Sequence, residues 1–463
     1  MCEPSYQKRH INMKKPWIIL LIFAALSCKK DHSPKPPDPP DDRPLLSFTP
    51  STIVSGGSVR ITSLSDTIKF SYEDIIDILF DSIPGENIQV LDSTHLLFAW
   101  TPALPAGKVN VAVHMKTKTI RSSGLTVVER AKWAARTKPD SAIYSAVSFG
   151  IGSKGYVLTG SDSTYSYAIY PNEPITVTGH ARNRFMEYDA ATNSWKRLSD
   201  FPGGSRVAAA GFSIGNKAYI GTGTDFRGNT FSDFWSYDTE AGDWQQLPDL
   251  PAEARYSAVG FNVGNKGYIG TGISGTNVWL SDIWEFDPAG NSWKKMADFP
   301  GGGRYGAVGI GLGNNAYVGF GGGDPSKVPG GASYLTDLWQ FTPGSNTWTR
   351  KADRRDTLMN IATVGRIAPT GFALNGKVYL GTGVDYAINS VPYNLGSSDF
   401  WEYDPAGDSW QLMDPSPIAA FGAFSFAIGN QAYIGGGMAV SGSASHSATS
   451  YAYNFFYQFS RVP

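Results

Sequence analysis

The sequence predicts an all-β protein, and three observations carry that prediction: a composition rich in glycine and aromatics, a strand motif that recurs six times, and a second aromatic motif interleaved with it. The 463 residues include 52 Gly, 13 Trp, 23 Tyr and 25 Phe, with charged residues at only 17%. Short strands joined by Gly-rich turns and locked by aromatic packing give such a balance. The formal charge of −1 lacks the basic excess of a general nucleic-acid or anionic-membrane binder, so no nucleic-acid partner is expected. Both cysteines, Cys2 and Cys28, precede all globular sequence, which leaves the folded part no disulfide framework and no thiol catalysis.

The first motif is an aromatic-bearing strand that ends in glycines, such as Gly155–Gly160 and Ala218–Gly223, and it returns around Tyr268, Tyr317, Tyr379 and Tyr433. The second runs Asp233-Phe234-Trp235-Ser236-Tyr237-Asp238, with copies beginning at Asp282, Asp337 and Asp399. A lone tryptophan follows each copy: Trp244, Trp293, Trp348 and Trp410, with Trp195 in a degenerate first copy. Together these motifs resemble the kelch repeat, over residues 130–463. The resemblance implies a six-bladed β-propeller of four-stranded blades, with Tyr and Trp filling the space between neighbouring sheets. Successive tyrosines lie 63, 49, 49, 62 and 54 residues apart, so the 49-residue copies are bare blades and the longer ones carry insertions.

The last repeat stops after Phe455-Phe456-Tyr457-Gln458-Phe459, without its outer tryptophan. Ala131-Lys132-Trp133-Ala134-Ala135 supplies the missing piece from the other end, so an N-terminal strand is expected to complete the last blade.

Ahead of the repeats, residues 45–129 show short alternating runs: Ser58–Thr62, Ile78–Phe80, His95–Trp100 and Val109–Val113. Phe48-Thr49-Pro50, Gly56-Gly57-Ser58-Val59 and Pro105-Ala106-Gly107-Lys108-Val109 resemble an IPT/TIG domain, which implies a small immunoglobulin-like sandwich acting as spacer or interaction module. His95 and His114 are expected to be strand surface residues.

Met13-Lys14-Lys15, the ten apolar residues Trp17–Leu26 and Ser27-Cys28 form a signal-peptide pattern, too short for the ~20 apolar residues of a membrane span. The small residue before Cys28 resembles the lipobox of bacterial lipoproteins, with residues 1–28 as the lipoprotein signal region and an acylated Cys28 as the mature N-terminus. The resemblance implies export and lipid anchoring in the bacterial cell envelope, with the outer membrane expected and contact with the membrane through the lipid alone. Residues 29–44, rich in Pro and Asp, read as a semi-rigid tether.

In a propeller of this kind the connections after the second and fourth strands emerge on one face. The extra length falls in those connections: Ser161–Arg182, Asp324–Tyr334, Val384–Ser397, Met438–Ala452 and Lys351–Gly365. Elaborated loops on a rigid scaffold are where binding concentrates. The repeat alignment places Arg206, Arg255, Arg304 and Arg366 at one position, with Ile143 and Ala420 in the other two copies. Four guanidinium groups at the channel mouth would suit a carboxylate, sulfate or phosphate. The competing expectation pairs them with Asp162, Asp225 and Asp385, which recur six residues after the inner tyrosine, and with Asp324 one position later. Asp233, Asp282, Asp337 and Asp399 read as turn and strand caps. Tyr165, Tyr167, Trp279, Tyr386 and Tyr393 in the loops suit sugar stacking or protein contact.

No cofactor and no metal are expected: the repeats hold no Cys and only His180 and His446, both in insertions. The copper site of galactose oxidases, which are also kelch propellers, needs a Cys–Tyr crosslink that cannot be built here. Three readings of function follow. The first is an envelope-anchored binding protein for a glycan or protein. The second is an enzyme resembling the kelch-type sialic acid mutarotases, with Glu187 and Glu253 as the nearest acid/base candidates. The third is a structural adhesion or envelope-assembly component.

Overall fold

The computed structural model describes residues 46–49, 52–54, 58–64, 70–71, 73–92, 96–100, 104–168, 176–178, 180–324, 334–354, 365–385, 397–443 and 447–462. Every regular element among them is a β-strand, and the chain divides into two compact units, Met1–Val128 and Glu129–Pro463.

The first unit holds two sheets around one core. One orders Leu46–Thr49, Ser58–Ser63, Leu96–Trp100 and Glu86–Asp92. The other orders Thr52–Val54, Thr119–Val128, Gly107–Met115, Ile75–Phe80 and Ile83–Pro84. Alternation sends Val59, Ile61, Ile78, Phe80, Val111 and Val113 inward, where all six are fully buried. His114 pairs with Asp77 at 2.6 Å.

The second unit is a β-propeller. It contains four-stranded antiparallel sheets, numbered one to six in the order of their innermost strands: Val147–Ile151, Ala210–Ile214, Val259–Val263, Val308–Leu312, Thr370–Leu374 and Phe424–Ile428. Each innermost strand packs against the next, and that of sheet six packs against that of sheet one. Small residues permit this approach. A Cβ at Gly311 would collide with the Asn262 carbonyl, and one at Gly260 would lie 2.6 Å from the Gly211 backbone.

The outermost strand of sheet six is Ala131–Ala135, which pairs antiparallel with Phe456–Arg461 and brings Trp133 opposite Phe459. Six tryptophan indoles hold the sheets in sequence. Trp195, Trp244, Trp293, Trp348 and Trp410 donate to the carbonyls of Thr137, Ser199, Pro248, Ala297 and Ala352, and Trp133 to that of Asp414.

Two segments read from sequence as loops are corrected by their backbone pairing. Thr164–Ala168 and Thr176–Thr178, from the 161–182 insertion, join Met438–Ser443 and Ser447–Ala452 in a further four-stranded sheet. Thr164 pairs with Tyr451 and Ala168 with Ser447, so two insertions distant in sequence are bonded to each other.

Candidate functional site

The innermost strands begin on the face that carries the insertions, and each is preceded by the repeated Arg-x-small tripeptide or its variant. The small residue adopts a left-handed backbone in every copy: Ser145 (φ 50), Ala208 (φ 53), Ser257 (φ 52), Gly306 (φ 58), Ala368 (φ 48) and Gly422 (φ 62). Each of the six donates its N–H to the carbonyl of the preceding one, at 2.8–3.2 Å, and Ser145 donates to Gly422, so the hydrogen bonds close into a ring. This ring of peptide groups is the floor of the mouth. Left-handed φ costs a β-branched residue most, and none stands at these positions.

The arginines before the ring point away from the mouth. Arg206, Arg255 and Arg304 are 0% exposed, and Arg366 is 2% exposed. Each meets a carboxylate on the residue just before the third strand of its own sheet. Arg206 binds Asp233 bidentately at 2.6 and 2.9 Å, Arg255 binds Asp282 at 2.6 and 2.8 Å, and Arg304 binds Asp337 at 2.7 and 3.0 Å. Arg366 and Arg354 share Asp399, at 2.6 and 2.9 Å. The second carboxylate oxygen also accepts the indole N–H of Trp235, Trp284, Trp339 or Trp401. Burial alone would push the Asp282 carboxyl up, but hydrogen bonds from Arg255 and Trp284 hold it below its ordinary value.

The expected pairing of the arginines with Asp162 and Asp225 is therefore corrected. Asp162 bonds instead to Arg182 and to the His180 N–H, and Asp225 clamps its own hairpin by accepting from the N–H groups of Arg227 and Asn229. Asp385 pairs in the backbone ladder with Arg366, its side chain outside the described residues, and the Asp324 side chain lies half-buried. Asp233, Asp282, Asp337 and Asp399, read as caps, are the ion partners.

Where the arginine is missing, its aspartate is missing too. Sheet six puts buried Ala420 and Phe455 at the two positions. Sheet one has Arg184 at the Asp position, and it reaches back to Ser141 at 2.6 Å and Asp140 at 3.3 Å.

Because side chains alternate along an extended segment, the residue after each arginine faces the other way. Tyr144, Val207, Tyr256, Tyr305, Ile367 and Phe421 make this tier, and the last four with Tyr256 and Tyr305 among them are only half-buried. Burial, and next the neighbouring Tyr256, push the Tyr305 phenol above its ordinary value, and the bond from the Gly306 N–H to the Ser257 carbonyl makes the two tyrosines neighbours along the ring. Tyr305 lies against Gly322, where a Cβ would come within 2.5 Å of the ring. Sequence reading missed this tier, although its signal, an aromatic or aliphatic residue before a small residue, recurs six times, four of them directly after Arg.

Above the tier stand two tight hairpins from sheets two and three. Their tips carry Phe226 and Val278, 43% and 48% exposed, the two exposed large hydrophobics among the described residues of this unit. Gly275 of one hairpin abuts Thr230 of the other. Trp279 follows Val278, half-buried, and its indole N–H is itself buried without a partner. Tyr165 and Tyr167 lie in the further sheet with their side chains outside the described residues, as are Tyr386, Tyr393, His446 and Cys28 altogether. Glu187 accepts from Tyr156 and lies 3.6 Å from Lys154, away from the mouth, whereas Glu253 is exposed and accepts from Thr276. Among the described residues no group of three or more His, Cys, Asp or Glu could hold a metal ion.

No family model matches the chain, and no curated protein matches it. Among solved structures the chain is similar to that of YjhT, at 15% identity and a TM-score of 0.53, over 69% of this chain and 96% of that one. At that identity the likeness is one of fold, and it agrees with the propeller built from the sheets above.

Proposed function

We propose that the protein is an envelope-anchored binding protein that holds a glycan or a protein partner in the mouth on the insertion-bearing face. In this reading residues 130–463 form a six-bladed kelch-type propeller, and residues 45–129 an immunoglobulin-like spacer. Cys28 carries the lipid, and residues 29–44 tether the whole to the membrane. The observation that carries the reading is the tier of half-buried rings, Tyr256, Tyr305 and Phe421, beside a hydrogen-bonded floor on the face whose hairpins expose Phe226 and Val278. Aromatic groups fixed on a rigid concave frame favour ligand contact, because little side-chain freedom is lost on binding.

The fold shared with YjhT is consistent with a second reading, an enzyme resembling the kelch-type sialic acid mutarotases. That reading needs arginines free to hold a carboxylate, and the four repeat arginines are already paired. A glycan array and a crosslinking screen of intact cells, each with wild type and Tyr305→Ala, test the proposal. Retention of a glycan or a crosslinked partner that is lost in the variant is expected. Retention unchanged in the variant, or no retention by the wild type, overturns it. NMR of sialic acid anomers with catalytic amounts of protein separates the enzyme from the binder.

A further inference from the structure

We infer that the sheet-five turn Asn375-Gly376 is a site of self-modification, where the Asn375 side-chain amide is lost through a cyclic imide to give aspartate and isoaspartate. A two-residue turn joins the first and second strands of each propeller sheet, on the face away from the insertions. Five of these turns begin with a glycine at positive φ: Gly152 (φ 58), Gly215 (φ 59), Gly264 (φ 59), Gly313 (φ 61) and Gly429 (φ 60). In four of them an asparagine follows: Asn216, Asn265, Asn314 or Asn430. Sheet five reverses the order. Asn375 (φ 49) and Gly376 (φ 76) both take positive φ, the type I′ geometry that Asn-Gly favours. No other Asn-Gly pair occurs in the sequence.

That order decides the chemistry, because the imide forms when the main-chain nitrogen after an asparagine attacks the asparagine Cγ. After Asn216, Asn265, Asn314 and Asn430 this nitrogen belongs to Lys217, Lys266, Asn315 or Gln431. Each of those carries a side chain and is paired in the ladder, with Ile214, Val263, Leu312 and Ile428 respectively. After Asn375 the nitrogen belongs to Gly376, which has no Cβ and stands in the turn, outside the closing pair Leu374–Lys377. Exposure does not separate the sites, since Asn265, Asn314, Asn375 and Asn430 are all exposed. Nothing lies within 4 Å of where a Gly376 Cβ would stand, so the peptide has room to rotate as the ring closes. Base takes the Gly376 N–H proton, and the nitrogen bonds to Cγ. The Cγ–Nδ2 bond then breaks, and the amide nitrogen takes a proton from water and leaves as ammonia. Water opens the imide at either carbonyl, with no net oxidation or reduction. Both products add a negative charge, and isoaspartate also lengthens the main chain between Thr370–Leu374 and Lys377–Gly381.

The test is incubation of the full chain at neutral and at alkaline pH, followed by peptide mass mapping with fragmentation that tells the two acids apart. Wild type is compared with the double variant Asn375→Gly, Gly376→Asn, which restores the order of the other sheets. Acid is expected to accumulate at Asn375 about tenfold or more faster than at Asn265, Asn314 or Asn430, because no Cβ hinders the attack. The rate should rise with pH, and part of the product should be isoaspartate. The double variant should keep the melting transition and lose the excess. Conversion at Asn375 no faster than at those three asparagines overturns the inference, whether or not the double variant folds. Equally fast conversion of the relocated asparagine in a folded double variant overturns it too.

Discussion

The Arg255–Asp282 pair shows how one residue position serves the fold. The guanidinium is fully buried and the carboxylate bidentate to it is only 20% exposed, so removing either partner leaves the other without its counter-charge. Arg255→Ala should cost about 3–5 kcal/mol, read as a shift of the urea midpoint at constant slope. The double variant Arg255→Met with Asp282→Leu should recover most of that loss, because it repeats what sheet six already does with Ala420 and Phe455. The pair also has a pH dependence of definite sign. A carboxylate held below its unfolded value stabilises the fold above that unfolded value, about pH 4. The stabilisation then disappears as the pH falls through the lower folded value. Stability of the wild type should therefore be flat through neutrality and drop below about pH 4, and the double variant should drop less steeply over the same range.

At the scale of elements, the strands were legible and their cross-links were only half so. Tyr219, Tyr268 and Tyr317 recur at fixed spacing because each fills the same gap between sheets, and a repeated environment leaves a repeated letter. The arginine position is equally visible, yet the pairing that spacing offers it is with Asp162, Asp225, Asp385 and, one position later, Asp324. Spacing along the chain does not say which of two recurring aspartates a buried fork will reach. The signal that decides it was present: the Asp just before the third strand disappears from sheets one and six, where the Arg does, whereas Asp162 persists in sheet one. The left-handed floor left almost no trace, because Ser, Ala and Gly all serve at a position defined by backbone shape. The further sheet was invisible for another reason. Its partners, Thr164–Ala168 and Ser447–Ala452, lie at opposite ends of the repeats, and no local pattern announces that two insertions meet. Ala448→Pro, in that ladder opposite Tyr167, removes an N–H and a strand conformation. Limited proteolysis should then cut faster within 161–182, a segment far from the substitution in sequence. Unchanged cutting there would refute the pairing.

For the propeller as a whole, stability depends on the ring being closed. Each sheet packs on its two neighbours, so the energy is a sum of nearest-neighbour terms, as in a linear repeat, plus the one junction that joins the ends. That junction is dense. Trp133 packs edge-on against Phe400 at 5.2 Å and Phe459 at 5.0 Å, and Asp414 accepts from the N–H groups of Arg130 and Ala131 at 2.6 and 2.8 Å. Trp133→Ala and Trp195→Ala remove the same kind of side chain from two such junctions and should each cost about 3–5 kcal/mol. Neither opens the ring, since the backbone ladders remain, and both variants should still unfold in one step. Deleting residues 130–138 is different in kind. It strips the outer strand from sheet six, exposes the ladder edge of Phe456–Arg461 and frees sheet five from its neighbour's tryptophan. The sheets can then open one after another from the cut. Calorimetry should show a broad transition whose van't Hoff enthalpy falls well below the calorimetric one, and hydrogen exchange should be fastest in sheets five and six. A deletion variant that still melts in one sharp step would mean that the remaining contacts between innermost strands, together with the six-membered ring of peptide hydrogen bonds, close the propeller without Trp133.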